Sequence, residues 1–169
     1  MDNRPAAMSA LEASETAQGR KPGRSAETQG ASMFRKIMAP VDLSHADKLG
    51  KALDAAADAA KHYGAELIYV GVTTSAPSSV AHTPKEYDQK LAAFAEKSGA
   101  DHGVPTGHRS YVSHDPASDL DDTLLGAIRE LGIDLVVMAS HIPNVADYIW
   151  PSNGGKIASH AKCSVFIVR

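Results

Sequence analysis

An open α/β fold, a parallel sheet of five strands covered on both faces by four helices, is predicted by two features of this sequence. Short runs rich in Val, Ile and Leu alternate with longer stretches whose apolar residues recur at helical spacing, the rhythm of repeated strand–helix units. Three of the strand-like runs are apolar without interruption, a pattern that suits strands buried on both faces under helices.

The first 32 residues contain no Val, Ile, Phe, Tyr or Trp and a single Leu. They cannot bury enough apolar surface to offset about 1–2 kcal/mol of ordering entropy per residue. We therefore read 1–32 as a disordered tail and 33–169 as one domain. "KIMAPVD" (36–42) is a buried strand ending in Asp42. Leu49, Leu53, Ala56, Ala60 and Tyr63 then recur at helical spacing over roughly 45–63, with Ser44 as N-cap and Gly64 as the closing residue. "AELIYVGVT" (65–73) is the second strand, and a Pro/Ser/Thr-rich loop over 74–83 leads into a helix starting near Pro84, with Tyr87, Leu91, Phe94 and Ala95 as its apolar stripe.

"GHRSYVSH" (107–114) is a third, weaker strand. A helix over 118–131 follows, capped by Ser118, with Asp119, Asp121 and Asp122 where the helix dipole favours negative charge. Its buried stripe is Leu120, Leu124, Ile128 and Leu131, and Gly132 closes it. "IDLVVMAS" (133–140) is the fourth strand, 152–160 the last helix, and "CSVFIVR" (163–169) the fifth strand.

The composition narrows the function classes. The chain is 43% hydrophobic but only 5% aromatic, so small aliphatic side chains must fill the core. A net charge of −3 without long single-sign runs argues against a nucleic-acid partner. No run approaches the roughly 20 apolar residues of a membrane span, and the N-terminus has no apolar signal core, so a cytoplasmic protein without membrane insertion is expected. The single cysteine, Cys163, sits in an apolar context and reads as a core residue. Eight histidines occur, none at the spacing of helical metal ligands, so no metal site is expected.

In open α/β sheets ligands sit beyond the carboxyl ends of the strands. That rule points to Asp42, to Val72, to the turn after His114 and to the stretch after Met138. The last of these, "MASHIPNVADYIWPSNGGK" (138–156), places Ser152, Asn153, Gly154 and Gly155 at the start of a helix, where side-chain oxygens and unobstructed amides suit an anion. Two successive glycines there cost about 1 kcal/mol each relative to alanine. Plainer roles stand beside these: Asp42 as a helix cap, Ser152 and Asn153 as N-caps, and Tyr148 and Trp150 as packing residues.

"KIMAPVDLS", "DLVVMASH" and "SNGGKIASHAKCSVFIVR" together resemble the universal stress protein family, in that order and at the expected distances over roughly 33–169. The resemblance implies strand order 3-2-1-4-5 in an adenine nucleotide alpha-hydrolase-like fold. It also implies that Pro40, Val41 and Asp42 contact adenine and ribose, that Val72 lines the adenine pocket, and that Met138, Ala139, Ser140, His141, Ile142, Ser152, Asn153 and Gly154 surround the phosphates of ATP, with or without Mg2+. The family's phosphate-binding glycines fall on Ala139, Ile142 and Pro151, followed by Ser152, with the long spacer one residue shorter. All three glycines are replaced. Ile142 at a position demanding positive φ, and the amides removed by Pro143 and Pro151, weaken a backbone cradle. A sub-branch with an SH-x-P turn and Ser-Asn before the last helix resembles this chain more closely. The family further implies a homodimer through the C-terminal strand, open to higher assembly, that regulates a protein partner such as a transporter or enzyme. A nucleotide-free interaction module and a slow ATP hydrolase are the alternatives. An adenylating enzyme is excluded because the chain has "VDLSHAD" where that class needs a Ser/Gly-rich loop after strand one, and a receiver domain because the chain lacks the acidic pair, phosphoacceptor and lysine which that class needs.

Overall fold

The computed structural model describes residues 32–140 and 153–169. The expected tail, apart from Ser32, therefore lies outside the described residues, as do His141, Ile142, Pro143, Tyr148, Trp150, Pro151 and Ser152.

Strand β1 (Lys36–Pro40) leads through a short 3-10 segment (Leu43–Lys48) into helix α1 (Gly50–Tyr63). Then come β2 (Glu66–Thr73), α2 (Pro84–His102), β3 (Thr106–Val112), α3 (Pro116–Leu131), β4 (Leu135–Ala139), α4 (Asn153–His160) and β5 (Ser164–Val168). All five strands pair in parallel in the order β3-β2-β1-β4-β5, as expected. The core lies where the continuous apolar runs meet the helical stripes: Ile37, Met38, Leu67, Val70, Val136 and Val137 of the inner strands pack against Leu53, Ala56, Leu91, Leu120 and Leu124. Helix α1 covers β1 and β4, α2 covers β2 and β3, and α3 rests on β2 and α4. The N-terminal pole is stitched by Asp134, whose carboxylate accepts the backbone N–H groups of Arg35 (2.8 Å) and Lys36 (3.1 Å).

Several expected boundaries move, each for a local reason. The first strand ends at Pro40, not Asp42, because Asp42 turns its carboxylate onto the following backbone and caps the 3-10 segment. Ser44 therefore donates to the cap instead of being one. The helix expected over 45–63 breaks in two: His45 leaves helical geometry (φ −130°, ψ 21°), and α1 begins after Leu49 with no side-chain cap. Helix α3 starts at Pro116, two residues before the expected Ser118, since proline is pre-shaped for a first helical turn. Ser118 instead hydrogen-bonds back to Asp115 Oδ2 at 2.9 Å. The third strand stops at Val112, short of His114. Gly64 and Gly132 do occupy left-handed backbone after α1 and α3 (φ 63° and 65°).

Candidate functional site

Beyond the carboxyl ends of β1 and β2 lies a pocket of about 130 Å3. Asp42 and Ser44 form one side, Val72, Thr73 and Thr74 follow from the end of β2, Ser78–Val80 close it from the loop, and Tyr87 of α2 and Pro116 of α3 complete it. Two residues singled out from the sequence, Asp42 and Val72, thus meet in one cavity.

Asp42 is held firmly. Its side chain is 14% exposed; Oδ1 accepts the Ser44 N–H at 2.9 Å and the Ser44 hydroxyl at 2.5 Å, and Oδ2 lies 2.8 Å from His45 Nδ1. The carboxylate organises its own turn and offers an edge to the pocket.

The loop wall is equally ordered. Ser78 Oγ accepts the N–H groups of Val80 (3.3 Å) and Ala81 (3.2 Å), and the Ser78 N–H donates to Ala81 O at 2.8 Å. Lys90 reaches back from α2 to donate to Val80 O at 2.5 Å. Thr83 caps α2 by accepting the Glu86 N–H at 3.1 Å, while Glu86 accepts the His82 N–H at 2.8 Å, a close relative of the capping box. The hydrogen bond from Lys90, followed by that from His82, holds the Glu86 carboxyl below its ordinary range.

Tyr87 enters the pocket because β2 makes room for it. Tyr69, two residues before Gly71, faces α2: its hydroxyl lies 2.6 Å from Ser98 Oγ and its ring meets Phe94 edge-on at 5.2 Å. By strand alternation Gly71 faces the same helix. A Cβ there would stand 2.6 Å from the Tyr87 hydroxyl and 3.1 Å from Leu91 Cδ2. The glycine lets helix and strand close on each other and sets the tyrosine over the strand end. Burial, and then the Asp42 carboxylate, push the Tyr87 hydroxyl well above its ordinary pKa, so it is a neutral group at physiological pH.

Of the other residues expected at the site, the described ones do not line this pocket. Pro40 and Val41 are buried, and the Val41 N–H donates to Val70 O at 2.9 Å. Met138 is buried in β4, Ala139 is half-buried, and the Ser140 N–H donates to Val168 O at 2.9 Å. Asn153 opens α4. Gly154 is buried, and a Cβ on it would approach Ile167 Cδ1 to 3.3 Å, so close packing on β5 accounts for this glycine. Gly155 faces open space, and nothing in the structure explains it. In the next turn Lys156 Nζ pairs with Asp121 Oδ2 at 3.0 Å, tying α4 to α3. Asp121 and then Asp122 raise the lysine's pKa.

Sequence reasoning missed Tyr87, which it placed in a core stripe, and the hydroxyl-bearing residues of the loop wall. One signal was present: a lone glycine inside the apolar run "IYVGVT" marks a close approach. A second groove of about 390 Å3 lies at the opposite pole among Arg35, Lys36, Glu66 and Asp134. There Asp134 and Lys36 are engaged in holding the start of β1. Among the described residues, no group of three or more His, Cys, Asp or Glu side chains is placed to hold a metal ion, and no helix is long and apolar enough to cross a membrane.

The model of the universal stress protein family matches residues 33–169. The chain belongs to the universal stress protein family. Universal stress protein YxiE of Bacillus subtilis is 30% identical over 155 residues, covering 81% of this chain and 100% of that protein. Among solved structures, a universal stress protein in complex with cAMP superposes with a TM-score of 0.58 at 21% identity, covering 82% of this chain and 99% of the other. The universal stress protein from Archaeoglobus fulgidus in complex with dAMP gives 0.58 at 14% identity, covering 81% and 99%. These likenesses establish the fold, the α/β architecture of adenine nucleotide alpha-hydrolase-like proteins.

Proposed function

We propose that this universal stress protein binds an adenine nucleotide, ATP foremost, in the pocket between Asp42 and Val72, and acts as a nucleotide-dependent regulator. The observation that carries this reading is the meeting of those two residues in a cavity at the carboxyl end of the sheet. The lining fits the neutral half of such a ligand: Val72 and Val80 offer apolar surface to a flat base, and Asp42, Ser44, Thr73 and Thr74 offer oxygen atoms to a sugar. Among the described residues, no lysine or arginine lines it. The phosphates, with any Mg2+ they bring, therefore belong at the entrance to α4, where the reading assigns Met138, Ala139, Ser140, His141, Ile142, Ser152, Asn153 and Gly154. Two of the family members compared above were solved with adenine nucleotides, cAMP and dAMP.

The same reading makes the protein a homodimer. β5 is the edge strand after β4 and leaves Phe166 52% exposed. Antiparallel pairing of that edge with a second copy would satisfy its free backbone groups under two-fold symmetry. A nucleotide-free interaction module is the competing reading, favoured by one observation: the Asp42 carboxylate is already engaged by Ser44 and His45.

Native mass spectrometry of freshly purified protein, followed by heat release, separates the two. Near-stoichiometric adenine nucleotide supports the proposal. Repeated absence, with no thermal shift on adding ATP and Mg2+, overturns it.

A further inference from the structure

We propose that the Tyr87 hydroxyl is the specificity-determining group of this pocket, hydrogen-bonding the polar edge of a purine base, so that the pocket takes the nucleoside without help from its phosphates. The inference rests on the nucleotide reading above and names the residue that selects the base.

Tyr87 is only 4% exposed, yet it lines the cavity. Two other tyrosine hydroxyls have polar partners: Tyr69 with Ser98 at 2.6 Å and Tyr111 with Glu130 at 3.0 Å. The Tyr87 hydroxyl has none among the described residues. Asp121 Oδ1 is the buried side-chain atom without a partner among them, and Tyr87 itself lines the cavity. Withdrawing a hydroxyl from bulk water and giving it no partner is costly, and native structures rarely leave one so.

The position is also built. β2 forgoes a side chain at Gly71, where any Cβ would collide with this oxygen. Among the described residues, the cavity around it combines the apolar surface of Val72 and Val80 with no cationic side chain, a lining that suits an uncharged flat group. A phenol that stays neutral can donate to a ring nitrogen or accept from an exocyclic amine. A site that hydrogen-bonds a ligand in this way rejects analogues lacking the matching group far better than an apolar slot does.

The test is calorimetric titration of the full chain, wild type and Tyr87→Phe, with adenosine, ATP and the analogue purine riboside, which lacks the exocyclic amine, and 7-deazaadenosine, which lacks one ring acceptor. The expected result is a loss of about tenfold in affinity for both adenosine and ATP in the variant, the size of one net hydrogen bond. The unliganded melting temperature should not fall, because no protein partner is lost. One of the two analogues should bind wild type and variant equally, identifying the atom that Tyr87 reads. Adenosine and ATP affinities unchanged in Tyr87→Phe overturn this inference and leave the nucleotide reading standing. So does a lowered unliganded melting temperature, which would assign the hydroxyl to structure, and so does wild type binding ATP but not adenosine. Wild type binding neither ligand overturns both.

Discussion

Gly71→Ala is the substitution whose effect can be worked most directly from the geometry. The new methyl would sit 2.6 Å from Tyr87 Oη, 2.9 Å from Tyr87 Cε1 and 3.1 Å from Leu91 Cδ2. Comfortable heavy-atom contacts lie at about 3.5–4.0 Å, so the tyrosine must retreat by about 1 Å. It has little room, since Tyr87 is 4% and Leu91 0% exposed. Overpacking of this kind costs about 1–3 kcal/mol. Replacing glycine inside a strand returns about 0.5–1 kcal/mol by restricting the unfolded chain. The net expectation is a loss of about 1 kcal/mol, equivalent to about 3–5 °C in melting temperature for a domain of this length. Urea unfolding followed by circular dichroism should show a lower midpoint at unchanged slope. The cause is checked by combining the change with Tyr87→Phe, which deletes the nearest clashing atom. The double variant should be more stable than the sum of the single effects by about 0.5–1 kcal/mol, as coupled neighbours are. A Gly71→Ala protein as stable as wild type, or strict additivity with Tyr87→Phe, would refute the argument that this glycine exists to admit the tyrosine.

Asp42→Ala removes the acceptor of the Ser44 N–H and should cost about 1 kcal/mol in thermal or denaturant unfolding, as lost N-caps do; under the proposed function it also weakens nucleotide binding, whereas loss of binding with unchanged stability would contradict the capping role. Tyr111 supplies a pH signature. Burial, then its hydrogen bond to Glu130, raises its pKa from 10.0 to about 12. The unfolded chain gives up this proton first as pH rises above 10, while the folded chain retains it, so the tyrosine's contribution is complete below pH 10 and is lost as pH climbs towards about 12. Tyr111→Phe should flatten stability over that interval in unfolding curves collected at stepped pH, and an unchanged slope there would count against the assignment.

The parallel sheet and its helices were legible in the sequence because uninterrupted apolar strands and helical stripes report which faces are buried, whatever they are buried against. Leu53, Ala56, Leu120 and Leu124 were readable for that reason, and so were the closing glycines at 64 and 132, whose left-handed backbone is a local demand. That Asp42 and Val72 lie at the ends of neighbouring strands, and so are candidates for one site, was legible because the ends of strands can be counted along the chain. Local competition already blurred the boundaries: whether Asp42 extends a strand or folds back onto the Ser44 N–H is decided by hydrogen bonds among neighbours that periodicity does not register.

Partnership across elements was beyond the sequence. A tyrosine at helical spacing in α2 looks like any core residue until Gly71 of β2 is brought beneath it, and only then does it become part of a cavity. The clasp of Lys156 on Asp121 and the stitching of β1 by Asp134 are of the same kind. Hydrophobic patterning is a one-body property of each segment and can be read residue by residue, whereas a pocket is made by groups far apart in the chain, whose meeting depends on how the segments pack.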